Sequence, residues 1–439
     1  MNVRHLVVTI VLGLGLGLFL GCQGGPSDTG PEASTQGLTC DPGSGDIELP
    51  EGFCAIVVAD DLGRARHLAV NDNGDVYVAR RQQGEGEPPG GVVALRDTDG
   101  DGRADVIERF GDHYGTGIEL YEGRLYFGTD QYVVRYEMAD GELVPSGEPE
   151  MMIDGFPEQR SHAVKPFAFD DQGNLFVNVG GPSNACQEES RTPGSPGQRP
   201  CPQLEWQASI WRFDANRPGQ TQQADGYQYS RGIRNSVAIA WDPFSKSVYV
   251  AQHGRDQLNQ LWPELFDEND NAENPAEEFL RLSDGADFMW PYCYYDTQLG
   301  RKILAPEYGG DGETVGECAD SPEPLVAFPG HWGPNDLLFY QGSQFPEKYR
   351  GGAFLAFHGS WNRAPLPQGG YNVVFVPMSA GEVTGDWEVF ASGFPGQDPL
   401  ERPQDARFRP TGVAEGPDGS LYVSDSVQGR IWRIIYIGA

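Results

Sequence analysis

One phrase recurs along the chain: a tight polar turn running into a short strand centred on an aromatic or large apolar residue. It reads Asp-Asn-Gly-Asp-Val-Tyr-Val around Tyr77, Glu-Gly-Arg-Leu-Tyr-Phe around Tyr126 and Asp-Gln-Gly-Asn-Leu-Phe-Val around Phe176. It returns as Ser-Lys-Ser-Val-Tyr-Val around Tyr249, Arg-Gly-Gly-Ala-Phe-Leu around Leu355 and Pro-Asp-Gly-Ser-Leu-Tyr-Val around Tyr422. Such turns need Gly or Asn for positive φ, and the alternation that follows needs residues that pack on a pleated surface. Units of about 40–50 residues built this way predict a β-propeller, because one small sheet cannot bury both of its faces alone. Six copies predict six blades. The first two spacings are 49 and 50 residues, and the later ones of 73, 106 and 67 require long insertions.

A chain of 439 residues with 59 Gly, 34 Pro and 11% aromatics suits one large all-β ring rather than several small domains. Its formal net charge of -33 repels nucleic acid and anionic lipid, which excludes a nucleic-acid role. Arg4 and His5, an apolar run from Leu6 to Leu20, then Gly21 and Cys22 have the form of a bacterial lipoprotein signal. The run is too short to span a bilayer, which needs about 20 apolar residues, and suits a cleaved signal whose Cys22 becomes lipidated. Ordinary secretion and an uncleaved anchor are the alternatives. Residues 22–47 are rich in Gly, Pro, Ser and Thr and are expected to form a flexible lipidated tether, with the propeller over 48–439.

Six further cysteines in an exported chain argue for disulfides, and six allow about fifteen pairings. The sequence-local set is Cys40–Cys54, Cys186–Cys201 and Cys293–Cys318. Metal binding is the weaker alternative, since no Cys-x-x-Cys occurs; the same absence leaves no c-type haem motif.

Phe53–Ala59 is expected to close the ring against the last blade. Blade cores are expected near 65–97, 104–137, 164–214, 235–283, 335–378 and 410–437. The Pro/Gly/Ser-rich stretch 187–203 and the acidic stretch 267–278 read as insertions, which build the mouth of a propeller.

The segment from Asp97 to Glu108 has the ligand spacing of a calcium loop: Asp97, Asp99, Asp101 and Asp105 at positions 1, 3, 5 and 9, the backbone of Arg103 at 7, and Glu108 at 12. Its flanks are strand-like, so the expected site is a structural calcium ion in a hairpin; a metal-free acidic turn is the alternative. A second group is basic. His162 and Lys165, Arg231, Arg234 and Asn235, His253 and Arg255, Arg363, and Arg407 and Arg409 stand near the ends of expected blade strands, where they can converge on the axis and hold an anion. Any one of them alone is ordinarily a solvated or salt-bridged side chain.

Five segments carry a resemblance: Gly-Ile-Arg-Asn at 232–235, Gln-His-Gly-Arg-Asp at 252–256, Ala-Asp-Phe-Met-Trp-Pro-Tyr-Cys at 286–293, Ala-Phe-His-Gly-Ser-Trp-Asn-Arg at 356–363 and Gly-Pro-Asp-Gly-Ser-Leu-Tyr-Val-Ser-Asp at 416–425. From about residue 48 onward the chain resembles the glucose/sorbosone dehydrogenase family, nearest its sorbosone dehydrogenase-like branch: six-bladed propellers that bind pyrroloquinoline quinone (PQQ) and calcium. The resemblance implies that His162 is the general base, with Lys165 beside it, while hydride passes to the quinone. It implies that Arg234 and Asn235 contact PQQ, that Arg363, Arg407 and Arg409 hold its carboxylates, and that Gly254 and Arg255 offer carbonyls to calcium. Two segments depart from the family pattern: His-Ala-Val-Lys replaces a His followed by Gly-Arg, and Gly254-Arg255 replaces Gly-Pro. Lys165 keeps the charge without the planar fork of Arg. His67, His113, His331 and His358 are secondary candidates. Trp290, Tyr292, Tyr294, Tyr295, Trp332 and Trp361 suit sugar stacking, although blades also use aromatics as packing.

These features imply a PQQ- and calcium-dependent dehydrogenase of an aldose or sorbosone-like carbohydrate in the cell envelope, lipid-anchored and passing electrons to an external acceptor. A non-catalytic propeller lipoprotein binding a glycan or a protein through the same funnel is the reading of a different class.

Overall fold

A computed structural model describes residues 37–438 apart from 83–85 and 87. The lipoprotein signal and Cys22 lie outside the described residues.

Six antiparallel sheets form the six expected blades. Their innermost strands are Ala65–Val70, Gly115–Tyr121, Phe167–Phe169, Ala238–Asp242, Pro334–Phe339 and Pro410–Glu415, and each touches the next all the way round. Phe53–Ala59 pairs antiparallel with Ile431–Tyr436 and closes the ring inside blade 6, as the sequence predicts. Blades 2 and 3 carry an extra parallel strand at the outer edge, Gln220–Thr221 and Ala286–Asp287.

The recurring phrase is legible in the packing. Residue 74 turns the first hairpin at φ 91°, a conformation open to Gly, and its N–H donates to Asn71 O. In the strand that follows, Val76 and Val78 face blade 6 while Tyr77 and Ala79 face blade 2. This period of two lets one sheet fill two cores. Six apolar clusters fill the six blade interfaces, and the central aromatic always reaches the next blade: Tyr77, Tyr126, Phe176, Tyr249 and Tyr422. In blade 5 the register differs by one, so Phe354 rather than Leu355 takes that place.

Two expectations are corrected. The second blade does not begin at 104: Val106–Phe110 pairs with Val92–Arg96 as the outer strand of blade 1, and blade 2 runs from Gly115 to Asp154. The tether does not extend to 47. Cys40 is bonded to Cys54, the Asp41 N–H donates to Ala55 O at 2.9 Å, and the Trp432 indole donates to Gly45 O at 2.9 Å, so this stretch is docked on blade 6. The other two expected disulfides, Cys186–Cys201 and Cys293–Cys318, are also formed and pin the insertions of blades 3 and 4.

Candidate functional site

The starts of the innermost strands and the ends of the second strands meet on one face of the ring. Four cations gather there. Arg66, on the innermost strand of blade 1, makes no ion pair among the described residues, and its buried Nε has no hydrogen-bond partner. Burial, reinforced by Arg81 and Arg409, lowers its pKa to about 10. Arg81 pairs with Asp130 at 2.8 Å. Lys165 is fully buried, donates to the carbonyls of Ala163 and Asp130, and is lowered by burial to about 8. Arg409 lies 5.1 Å from the Tyr371 ring and donates to His358 O at 2.9 Å and Gly359 O at 2.7 Å. Lys165 and Arg409 were expected in such a pocket. Arg66 and Arg81 were not, although both stand at the same strand ends as the basic residues that were singled out.

His162 adjoins Ala163, whose carbonyl accepts from Lys165, and has φ 55°. Its Nδ1 is 2.6 Å from the Gly181 carbonyl, which can only accept, so Nδ1 carries the proton and Nε2 keeps its lone pair. Burial and the neighbouring Arg234 hold its pKa near 3, so the ring is neutral at ordinary pH. Gly180 makes the close approach possible, since a Cβ there would lie 2.6 Å from both His162 Cβ and Asn235 Oδ1. Asn235 accepts from Asn178 at 3.2 Å and faces His253 Nδ1 at 3.5 Å, while His253 Nε2 donates to Pro334 O at 2.7 Å.

The other histidines among the described residues are tied individually. His358 contacts Ser426 Oγ at 2.8 Å and lies beside Arg409 and Arg66. His67 donates to Asn335 O and His331 to Asn271 O, each at 2.6 Å, and His113 contacts the Tyr132 hydroxyl at 2.8 Å.

Arg234 is buried at the edge of the pocket and already engaged. It donates to Gly254 O at 2.7 Å and Asn184 O at 3.2 Å, and pairs with Asp256 at 3.1 Å. Burial works against the charge of Asp256, yet Arg234, His331 and Arg191 hold its pKa at about 2. Three expectations change here. Arg363 is already engaged: it donates to Ala272 O and Gly330 O and pairs with Glu273 at 2.8 Å. Arg407 is 46% exposed and pairs with Asp46 at 2.8 Å on the docked N-terminal segment. The carbonyl of Gly254 accepts from a guanidinium, and the Arg255 side chain is locked to buried Glu307. In this arrangement the Gly254 carbonyl is taken by a guanidinium rather than held open for the calcium expected there.

The acidic turn is a different place. Carboxylate oxygens of Asp97, Asp99 and Asp105 lie within 4.8 Å of one another. Asp101 instead accepts from the Arg103 N–H, the Arg103 side chain reaches Asp41, and Glu108 is carried away on the exposed edge strand. The turn adjoins the ring-closing strand, with the Ala104 N–H donating to Val58 O at 2.9 Å.

The TrAA12-like family model matches residues 47–436, nearly the whole ring. The chain belongs to the TrAA12-like family. A PQQ-dependent pyranose dehydrogenase of Coprinopsis cinerea is 28% identical over 239 residues, 47% of this chain and 31% of that protein. An uncharacterised protein of Borreliella burgdorferi is 27% identical over 208 residues, 47% of this chain and 48% of that protein. The chain thus spans about half, or less, of the length of these curated relatives. Among solved structures, the holo PQQ domain of the C. cinerea pyranose dehydrogenase superposes with a TM-score of 0.69 at 19% identity, covering 89% of this chain and 97% of that one. The calcium structure of the Trichoderma reesei family AA12 enzyme gives 0.71 at 17%, covering 92% and 99%. The soluble aldose sugar dehydrogenase of Escherichia coli gives 0.57 at 16%, covering 88% and 99%. At these identities the superpositions speak for the TrAA12-like propeller fold.

Proposed function

We propose that this TrAA12-like protein is a PQQ-dependent dehydrogenase of aldose, pyranose or sorbosone-like carbohydrates. The observation that carries the reading is Arg66, a half-buried arginine whose buried Nε is orphaned and whose neighbours include Arg81 and Arg409, on a face that also holds His162 with no partner on Nε2 among the described residues. Like charges in a low-dielectric pocket ask for an anion, and a tricarboxylate suits them. Arg66, Arg81, Lys165 and Arg409 would hold the carboxylates. PQQ, when bound, supplies a two-electron acceptor for hydride.

The chain supplies the proton chemistry. His162 Nε2 takes the proton of the substrate hydroxyl as hydride leaves the same carbon. The Gly181 carbonyl fixes the tautomer and stabilises the imidazolium that forms, while Asn235 and His253 hold the neighbouring wall. A structural calcium ion belongs to Asp97, Asp99 and Asp105 at the ring seam. With no Cys-x-x-Cys-His in the sequence, electrons pass to a separate acceptor. The signal-like N-terminus and Gln23 after Cys22 support lipid anchoring in the envelope, at the outer membrane.

The test is a PQQ titration followed by a sugar panel with a dye acceptor. The reading expects binding at or below micromolar PQQ and sugar oxidation that His162→Ala abolishes. Absence of PQQ binding at micromolar concentration would leave a non-catalytic propeller.

A further inference from the structure

Six aromatic residues stand out in the sequence as sugar-stacking candidates; packing takes four of them, and a fifth, Tyr295, is half-buried. Trp290 is buried and donates its indole N–H to Asn184 O at 3.1 Å. Tyr292 meets Tyr308 edge-on and lies under Arg199. Tyr294 is buried, Trp332 packs edge-on against Phe357 and Trp387, and Tyr295 is half-buried on the strand Cys293–Asp296. Trp361 differs: it is 58% exposed and has neither a hydrogen bond nor a ring contact among the described residues.

A single exposed aromatic is ordinary on a protein surface. What sets Trp361 apart is the turn that carries it. On one side Ser360 is fully buried, its hydroxyl bonded to Gln368 at 2.7 Å and its carbonyl accepting from the Tyr371 hydroxyl at 2.5 Å. On the other side the Asn362 amide donates to Asp256 at 3.2 Å, and Arg363 is tied by two carbonyls and Glu273. Both anchors lead to the candidate site. Gly359 O and the Tyr371 ring hold Arg409, and Asp256 pairs with Arg234. A backbone anchored on both sides therefore links the two walls of the pocket and carries an exposed, unpartnered indole at 361. Immobilising such a residue in advance lowers the entropy cost of binding a ligand to it.

We propose that Trp361 is the specificity-determining platform for the sugar, stacking on the apolar C–H face of a pyranose ring. This rests on the dehydrogenase reading for its role in turnover, but the contact itself needs only a pyranose. Stacking favours cyclic sugars with several axial hydrogens on one face and disfavours open-chain polyols of the same size.

The experiment compares wild type, Trp361→Ala and Trp361→Phe in two measurements. In PQQ-loaded protein, Trp361→Ala is expected to raise KM for pyranoses about tenfold with kcat and PQQ affinity within about twofold, and Trp361→Phe to restore most of the loss. Without PQQ, the change in indole fluorescence on adding methyl pyranosides is expected in wild type and absent in Trp361→Ala. Unchanged KM together with identical fluorescence titrations overturns the platform. A fluorescence response that depends on Trp361, in a protein that oxidises no sugar, keeps the platform and removes the dehydrogenase.

Discussion

Arg234 and Gly254 are joined directly: the guanidinium Nη1 donates to the carbonyl oxygen at 2.7 Å. The same side chain neutralises Asp256 at 3.1 Å, and both residues are largely excluded from water. Arg234 is therefore a strut of the mouth as well as a wall of the pocket. Removing one partner of a buried pair leaves an uncompensated charge, which costs about 3–5 kcal/mol. Arg234→Gln is expected to lose about that much stability in denaturant unfolding, and adding Asp256→Asn is expected to recover part of it. A double-mutant cycle with no coupling would contradict the pairing.

Calcium removal separates the two places where the ion was expected. If Asp97, Asp99 and Asp105 hold it at the seam between blade 1 and the ring-closing strand, chelation lowers Tm and added Ca²⁺ restores it. Asp97→Asn is expected to have the lowered Tm already and not respond. PQQ affinity is expected to stay within about twofold throughout, since Gly254 O is taken by Arg234. A chelator that leaves Tm unchanged and strips PQQ would return calcium to Gly254 and Arg255.

Loss of the base is expected to be severe and specific. His162→Gln keeps a polar side chain without the basic Nε2, and general-base loss typically costs about 10²–10⁴ in rate. Steady-state oxidation should fall by that order, with PQQ affinity retained. Because burial and Arg234 hold the His162 pKa near 3, the rate is expected to show no His162 titration between pH 5 and 8. A rate loss near pH 6.5 that disappears in His162→Gln would contradict the assigned environment.

Stability should fall as pH rises above neutrality. Burial raises Glu119, Glu277 and Asp336 to about 8 and Glu415 to about 7. A raised carboxyl contributes stability that is complete below its unfolded pKa near 4 and is lost as pH climbs through the folded value. The buried histidines act oppositely. His67 and His162 are lowered by burial to about 3 and His253 to about 4, so their contribution is complete above 6.5 and is lost on acidification. The two sets oppose each other between about pH 4 and 6.5; above 6.5 the carboxyls dominate, until Lys165, lowered by burial to about 8, begins to oppose them at the upper end. Thermal melts are expected to shift down across that upper window, and a Tm that rises there would contradict it.

The blades were legible because each repeated aromatic has a local job, packing on the next sheet, and its turn lies within a few residues. The one-residue shift to Phe354 was not, because Leu355 satisfies the same alternation. The site was legible in part. His162, Lys165, Asn235 and Arg409 lie where strand ends meet, and strand ends can be read from the chain. Arg363 and Arg407 carry the same local signature, but their carboxylates come from Glu273 and Asp46, 90 and 361 residues away in sequence. Arg66 and Arg81 stand in the first blade, outside the segments that carry the family resemblance, and only ring closure brings them to Arg409.

The most direct measurement is a PQQ titration of Arg66→Met beside Arg407→Met, with the stability of each PQQ-free variant. The account predicts that Arg66→Met weakens PQQ by about tenfold or more while the PQQ-free protein becomes no less stable, since a half-buried cation with no ion pair has been removed. Arg407→Met should bind PQQ as wild type does. PQQ affinity unchanged in Arg66→Met but lost in Arg407→Met would contradict the axial pocket.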